Sequence, residues 1–168
     1  MILTPSLVTG FPLIDQQHEQ LFNIIDTLEI MASSDGSFRA VAEGTRKHLT
    51  PATGTVQPVV VRKVIERLMY YADIHFQYEE SLMSYASPAL TKLDGDQYED
   101  FAKHVCLHHR EHHSFSTTVT EYHKQVTSYC TLSPASIYVF VHHWVTEHIE
   151  KTDQAMCVWL RRSDAVAG

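Results

Sequence analysis

VRKVIERLMYYADIHFQYEESL, residues 61–82, is the stretch from which the fold can be read. Val61, Val64, Ile65, Leu68, Tyr71, Ala72 and Leu82 recur at the three- and four-residue spacing of one helix face. His75 and Glu79 fall on the same stripe, four residues apart. Leaving ionisable groups on a core face without a counter-charge costs several kcal/mol each, so this helix is expected to meet a partner that neutralises them. Pro58, three residues upstream, suits the first turn of such a helix.

The same pattern recurs on both sides. Upstream, residues 15–31 place Leu21, Ile24, Ile25 and Leu28 on one face, with His18 a turn before them. The turn-rich stretch 33–57, with SSDGS and LTPATGTVQP, reads as a long loop or insertion between the first two helices. Downstream, SPALTKLDGD breaks the pattern around Pro88 and Gly95. A third stripe then runs through Phe101, Val105, His108, His112, Phe115, Val119 and Tyr122. Ser133 and Pro134 form a cap and first turn for a fourth helix, continued by Ile137, Val141, Trp144 and His148. There the register slips, because the next inward candidates are Asp153, Met156 and Leu160. A five-residue step leaves Asp153 about 140° from His148 on an ideal α-helix. A one-turn π-bulge would reunite them. The expected architecture is all-α: an antiparallel, up-and-down four-helix bundle spanning residues 1–162, with 163–168 as a tail or the start of a linker.

Composition narrows the function. The formal charge of -7 argues against nucleic acid as a partner. With no run of about 18 apolar residues and no positively charged leader, the reading is a cytoplasmic protein without membrane insertion. Cys106, Cys130 and Cys157 are widely spaced, with no CxxC pair, and read as reduced thiols. Twelve histidines in 168 residues point to metal.

Seven candidate ligands sit on the four stripes: His18; His75 with Glu79; His108 with His112; His148 with Asp153. Four would saturate one zinc, so seven groups facing one interior suit two metals sharing carboxylates. Imidazole and carboxylate without thiolate favour iron, with manganese or zinc as other occupants. Five histidines against two carboxylates also make a less anionic set than a carboxylate-rich oxygenase site, and favour reversible binding over substrate oxidation.

IDQQH at 14–18, HFQYEE at 75–80, HHREHHSF at 108–115 and HWVTEHIEKTD at 143–153 closely resemble the four signature segments of bacterial hemerythrin-like domains. The resemblance implies two iron ions with a bridging oxo or hydroxo group. His108, His112 and His148 would bind one ion, His18 and His75 the other, and Glu79 and Asp153 would bridge them. The iron with two histidines would keep an open position for dioxygen, with Phe76, Trp144 and Ile149 lining an apolar pocket over it. All three equally suit the bundle core. Domains of this type also occur fused to signalling outputs such as diguanylate cyclases, so a C-terminal signalling domain is an implied partner. The expected function is non-enzymatic oxygen binding for sensing, storage or delivery. The rival readings are a diiron enzyme reducing peroxide or nitric oxide, and a structural zinc bundle.

The chain departs from the family in its longer links between helices 1 and 2 and between helices 2 and 3, and in lacking the customary tryptophan near the N-terminus. His109 and His113 offer the same spacing as His108 and His112, but Phe101, Val105, Phe115 and Val119 place 108 and 112 on the apolar side. His48, His104, His109, His113, His123, His142 and His143 are read as surface groups. Glu80 is read as outward-facing or as an acceptor behind a ligand.

Overall fold

The structure is a computed structural model that describes residues 4–34, 57–128 and 132–167. The bulk of the insertion expected at 33–57 lies outside these residues, while Ser33 and Ser34 belong to the first helix. Among the described residues all regular structure is helical. A 3₁₀ turn (Pro5–Leu7) precedes α1 (Pro12–Ser34), α2 (Pro58–Leu90) and α3 (Gly95–Thr127). The last rod is α4 (Pro134–His148), a π-helical turn (Ile149–Asp153) and α5 (Gln154–Ala167).

Each helix begins where local chemistry allows. Pro58 and Pro134 occupy first-turn positions, where a missing N–H costs nothing. Ser133 accepts from Ala135 N at 3.2 Å, and Asp94 accepts from Gln97 N at 2.9 Å. Because Asp94 also suits the positive end of α3, Asp94→Ala is expected to cost about 1 kcal/mol. That loss should lower the melting midpoint by about 2–4 °C in a calorimetric scan. An unchanged midpoint would show that this end frays in the intact protein.

Several boundaries differ from the sequence reading: α1 extends beyond 15–31 at both ends, and α2 runs through Pro88 to Leu90, past the break expected around Pro88. The α3 stripe becomes apolar only at Phe101, but the helix starts at Gly95, since its first turn is solvent-exposed and leaves no apolar signature. At the other end α5 continues to Ala167, where the sequence reading places a tail from 163. Ser163 is buried there and donates to Leu160 O at 2.7 Å, so a polar side chain that looked like linker is tied back to its own helix.

Successive rods run antiparallel. Leu28 and Met31, near the end of α1, share an apolar cluster with Val61 and Ile65, near the start of α2, and with Val126 and Ile137, flanking the α3–α4 connection. At the opposite end Ile14 of α1 meets Leu90 of α2, Phe101 of α3 and Leu160 of α5. Fully buried residues such as Ile25, Leu28, Ile65 and Leu68 contribute roughly 1.5–3 kcal/mol each. The predicted ligand residues lie between the two apolar clusters, walled off from water at both ends.

The π turn expected from the His148–Asp153 spacing is present at Ile149–Asp153. Gln154 N–H bonds to Ile149 O, five residues back. The extra residue is absorbed within one turn, which keeps Met156 and Leu160 on the core face together with Asp153.

Candidate metal centre

All seven predicted ligand residues converge in one layer of the bundle, and His18, Glu79, His108 and Asp153 are 0% exposed. α1 supplies His18, α2 His75 and Glu79, α3 His108 and His112, and the last rod His148 and Asp153. The four-residue spacings on α2 and α3 place both members of each pair on the inner face of an ordinary helix. On the last rod the π turn does the same for a five-residue spacing.

The side chains form two donor groups that share one carboxylate. Glu79, His108, His112 and His148 make one, and His18, His75, Glu79 and Asp153 the other. Glu79 Oε2 lies 3.2 Å from His108 Nε2, 3.3 Å from His112 Nε2 and 3.5 Å from His75 Nε2. Asp153 spans the groups as well: Oδ1 is 3.1 Å from His148 Nε2 and 3.3 Å from His108 Nε2, while Oδ2 is 3.2 Å from His18 Nε2.

These distances do not amount to a satisfied hydrogen-bond network. Asp153 Oδ1 and Oδ2, Glu79 Oε1 and both ring nitrogens of His18 are buried without an aligned partner. His112 Nε2 and His148 Nε2 face each other at 3.1 Å. Buried polar atoms are normally paired, and lone pairs aimed at a common centre without donors between them are what a cation requires. The donor set therefore fits a metal site.

Electrostatics point the same way. Burial and the like charge of Asp153 raise Glu79 to about 7. Burial works to raise Asp153 too, but the charge of His148 and contacts with His108 and His18 hold it well below the carboxylate range. Burial lowers His75 to about 3 and also pushes His112 down, where His108 and His148 repel its charged form. For His148 burial opposes protonation, yet Asp153 and Glu111 outweigh it and lift the ring to about 10. The layer thus favours positive charge at its centre.

Behind the candidate ligands a second ring of contacts fixes the imidazoles. His75 Nδ1 meets Gln17 Oε1 at 3.1 Å, His112 Nδ1 meets Glu80 Oε1 at 3.0 Å, and His148 Nδ1 meets Glu111 Oε2 at 2.7 Å. Thr152 Oγ1 donates to the same Glu111 oxygen at 2.8 Å. With Nδ1 turned outward, each Nε2 points into the centre. Glu80 is thus the acceptor behind a ligand that its sequence position allowed. The roles of Gln17 and Glu111 were not read from the sequence; Glu111 lies one residue before His112 and Gln17 one before His18, but each serves a histidine on another rod. His104 differs from its surface reading. It is half-buried, its ring centroid is 5.5 Å from that of His108, and its Nε2 has no partner. His109 is about half exposed, as its face of α3 predicts.

Phe76, Trp144 and Ile149 line one small apolar cavity with Leu21, Phe115, Val145 and the rings of His75 and His148. Its volume is about 10 Å³, near the least that holds one water-sized molecule. Phe76 stacks on His112 with centroids 3.8 Å apart, and Trp144 stacks on His148 at 4.3 Å. The aromatic walls therefore also brace two of the ligand rings.

The fold matches solved structures across nearly its whole length. A wild-type hemerythrin crystal structure superposes with a TM-score of 0.66 at 21% identity, covering 95% of this chain and 97% of that one. A leucine-to-phenylalanine mutant structure matches with a TM-score of 0.67 at 21% identity, covering 95% and 96%. At this identity the likeness speaks for the fold alone. No curated protein matches the chain. The family model described as "Hemerythrin HHE cation binding domain" matches residues 9–160, which include all seven candidate ligand residues. The chain belongs to the hemerythrin HHE cation-binding family.

Proposed function

We propose that this chain holds two iron ions and binds dioxygen reversibly, serving as an oxygen sensor, store or carrier rather than as an enzyme. The observation that carries the reading is the sharing of Glu79 between two buried donor groups, both of which border one apolar cavity, one through His75 and the other through His148. In this reading His108, His112 and His148 hold one ion and His18 and His75 the other. Glu79 and Asp153 would be shared by both ions, and an oxo or hydroxo group would complete the cofactor. When bound, such a pair supplies the two electrons by which dioxygen is reversibly held.

The protein's part is to place and protect. Gln17, Glu80 and Glu111 orient the ligand rings from behind. Phe76, Trp144 and Ile149 keep water from the cavity, and a site without water loses bound oxygen to side reactions more slowly. Apart from the His75 and His148 rings, the residues lining this cavity bring no group that ionises near neutral pH, which favours binding over a proton-coupled reduction. Among the described residues no helix is long and apolar enough to cross a membrane. The exposed free thiol of Cys106 suits a reducing compartment, and we place the protein in the cytoplasm. A fused signalling output is the partner that a sensory role would require.

The test is the absorption spectrum of the iron-loaded protein. Reduced without air it should be colourless, gain charge-transfer bands when oxygen is admitted, and lose them when oxygen is removed. Loaded protein whose spectrum ignores oxygen would overturn the proposal. Steady turnover of peroxide or nitric oxide with an electron donor, without a stable coloured form, would make it a reductase. Protein that retains a single zinc and refuses iron would make it a structural bundle.

A further inference from the structure

We infer that Gln154 is a positioning residue for Asp153, and that it acts by tying the π turn to an N-terminal strap, residues 4–11. This rests on Asp153 being a metal ligand, as proposed above. A π turn is rare, because it inserts one residue into the α-helical repeat, so the contacts around it help decide where it forms. On its inner side the turn is held through Thr152 and Glu111. The strap holds it from outside.

The strap grips both ends of the turn. Ser6 Oγ donates to Glu150 Oε1 at 2.8 Å, within the turn. Gln154, the first residue after Asp153, donates from Nε2 to Ser6 O at 3.1 Å and to Val8 O at 2.9 Å. A single amide nitrogen thereby satisfies two strap carbonyls. Between these ties Leu7 turns inward and is buried in the same apolar cluster as Ile149, the residue that opens the π turn and lines the cavity.

The strap is itself anchored at its far end. Thr9 N and Oγ1 both donate to Asp15 Oδ1 at 2.7 Å, and Gly10 N donates to Asp15 Oδ2 at 3.1 Å. The Arg161 guanidinium of α5 bonds to Thr9 O and lies over the Phe11 ring at 5.2 Å. Gly10 has φ +79, and a Cβ there would meet Arg161 Nη2 at 3.2 Å, so the chain reverses where only glycine fits easily. Fixed at 9–11 and plugged by Leu7, the strap gives Gln154 a rigid surface to hold. Its two bonds fix the backbone one residue beyond the carboxylate that spans both donor groups.

Gln154→Glu tests this with almost no change in shape, since it replaces a donor by an acceptor facing two carbonyl oxygens. Gln154→Ala removes the group altogether. In metal-free protein, amide hydrogen exchange at residues 150–154 should quicken about tenfold or more in both variants, while amides of the two apolar clusters keep their rates. In iron-loaded protein, a chelator should strip iron about tenfold faster, the usual scale for a contact that orients a ligand from behind. Uniform quickening across the bundle would reduce Gln154 to a general structural tie and overturn the inference. So would wild-type exchange at 150–154. If wild-type protein takes up no iron pair, the proposed function fails, while the exchange measurement still decides whether Gln154 and the strap hold the turn.

Discussion

On the proposed diiron reading, Glu79→Ala is expected to lower bound iron from about two ions per chain to one or none, a loss that only Asp153, which also spans both donor groups, should match. The reason is the place of its Oε2, within 3.5 Å of ring nitrogens from His75, His108 and His112, which belong to both donor groups. Removing a terminal histidine takes one donor from one group. Removing Glu79 takes a donor from each and deletes half the negative charge that Asp153 and Glu79 bring to a fully buried layer. Glu79→Gln separates the two contributions, because it keeps the volume and one neutral oxygen while losing the charge. Alanine and glutamine should both fail to hold a pair, and alanine should lose more. Metal analysis after anaerobic loading and desalting reads the outcome. Retention of two ions by Glu79→Ala would show that Asp153 alone bridges and that Glu79 is a buried acid in another role.

How far the sequence carried this picture depends on the kind of signal. The stripes on α1, α2 and α3 were legible because a helix that buries one face must repeat its apolar residues at three and four, and the ligands occupy positions in that repeat. The π turn was legible for the opposite reason: five residues between His148 and Asp153 break the repeat, and only a widened turn repairs it. What stayed hidden was whatever depends on contacts across rods. Gln17 beside His75, Glu111 beside His148 and the strap carbonyls held by Gln154 are pairings at long sequence separation between common polar residues. Such residues carry no periodic mark. His104 was misplaced because an unpaired polar side chain just off the apolar stripe looks the same in sequence whether it reaches water or leans on a neighbouring ring. The end of α5 was set too early because Ser163 is satisfied by its own helix, which composition does not reveal.

Phe115→Ala is expected to be the most destabilising of the wall substitutions, costing about 3–5 kcal/mol out of a total stability of roughly 5–15. Phe115 is 1% exposed and its ring lies 4.3 Å from Trp144, 5.7 Å from Phe76 and 5.9 Å from Phe140, centroid to centroid. Those three rings sit on two different helices, so none can collapse into the void without pulling away from its own contacts. The void would also join the existing cavity of about 10 Å³ and turn a space for one small molecule into one that admits several waters. With a urea dependence of about 2 kcal/mol per molar, the unfolding midpoint should fall by about 2 M. Phe115→Leu keeps most of the volume and should recover the larger part of that loss. The pair separates stability from protection. If Phe115 walls off the centre, ferrous protein should oxidise spontaneously much faster in Phe115→Ala and only slightly faster in Phe115→Leu. If the ring matters for packing alone, the midpoint falls as stated while the oxidation rate stays near wild type. Trp144→Ala supplies the converse, because Trp144 is only partly buried yet stacks directly on His148. Its loss should cost less stability than that of Phe115 and open the site more, so rank order in stability and rank order in oxidation rate should differ. Identical orders would mean that water reaches the centre by global loosening of the bundle and not through this wall.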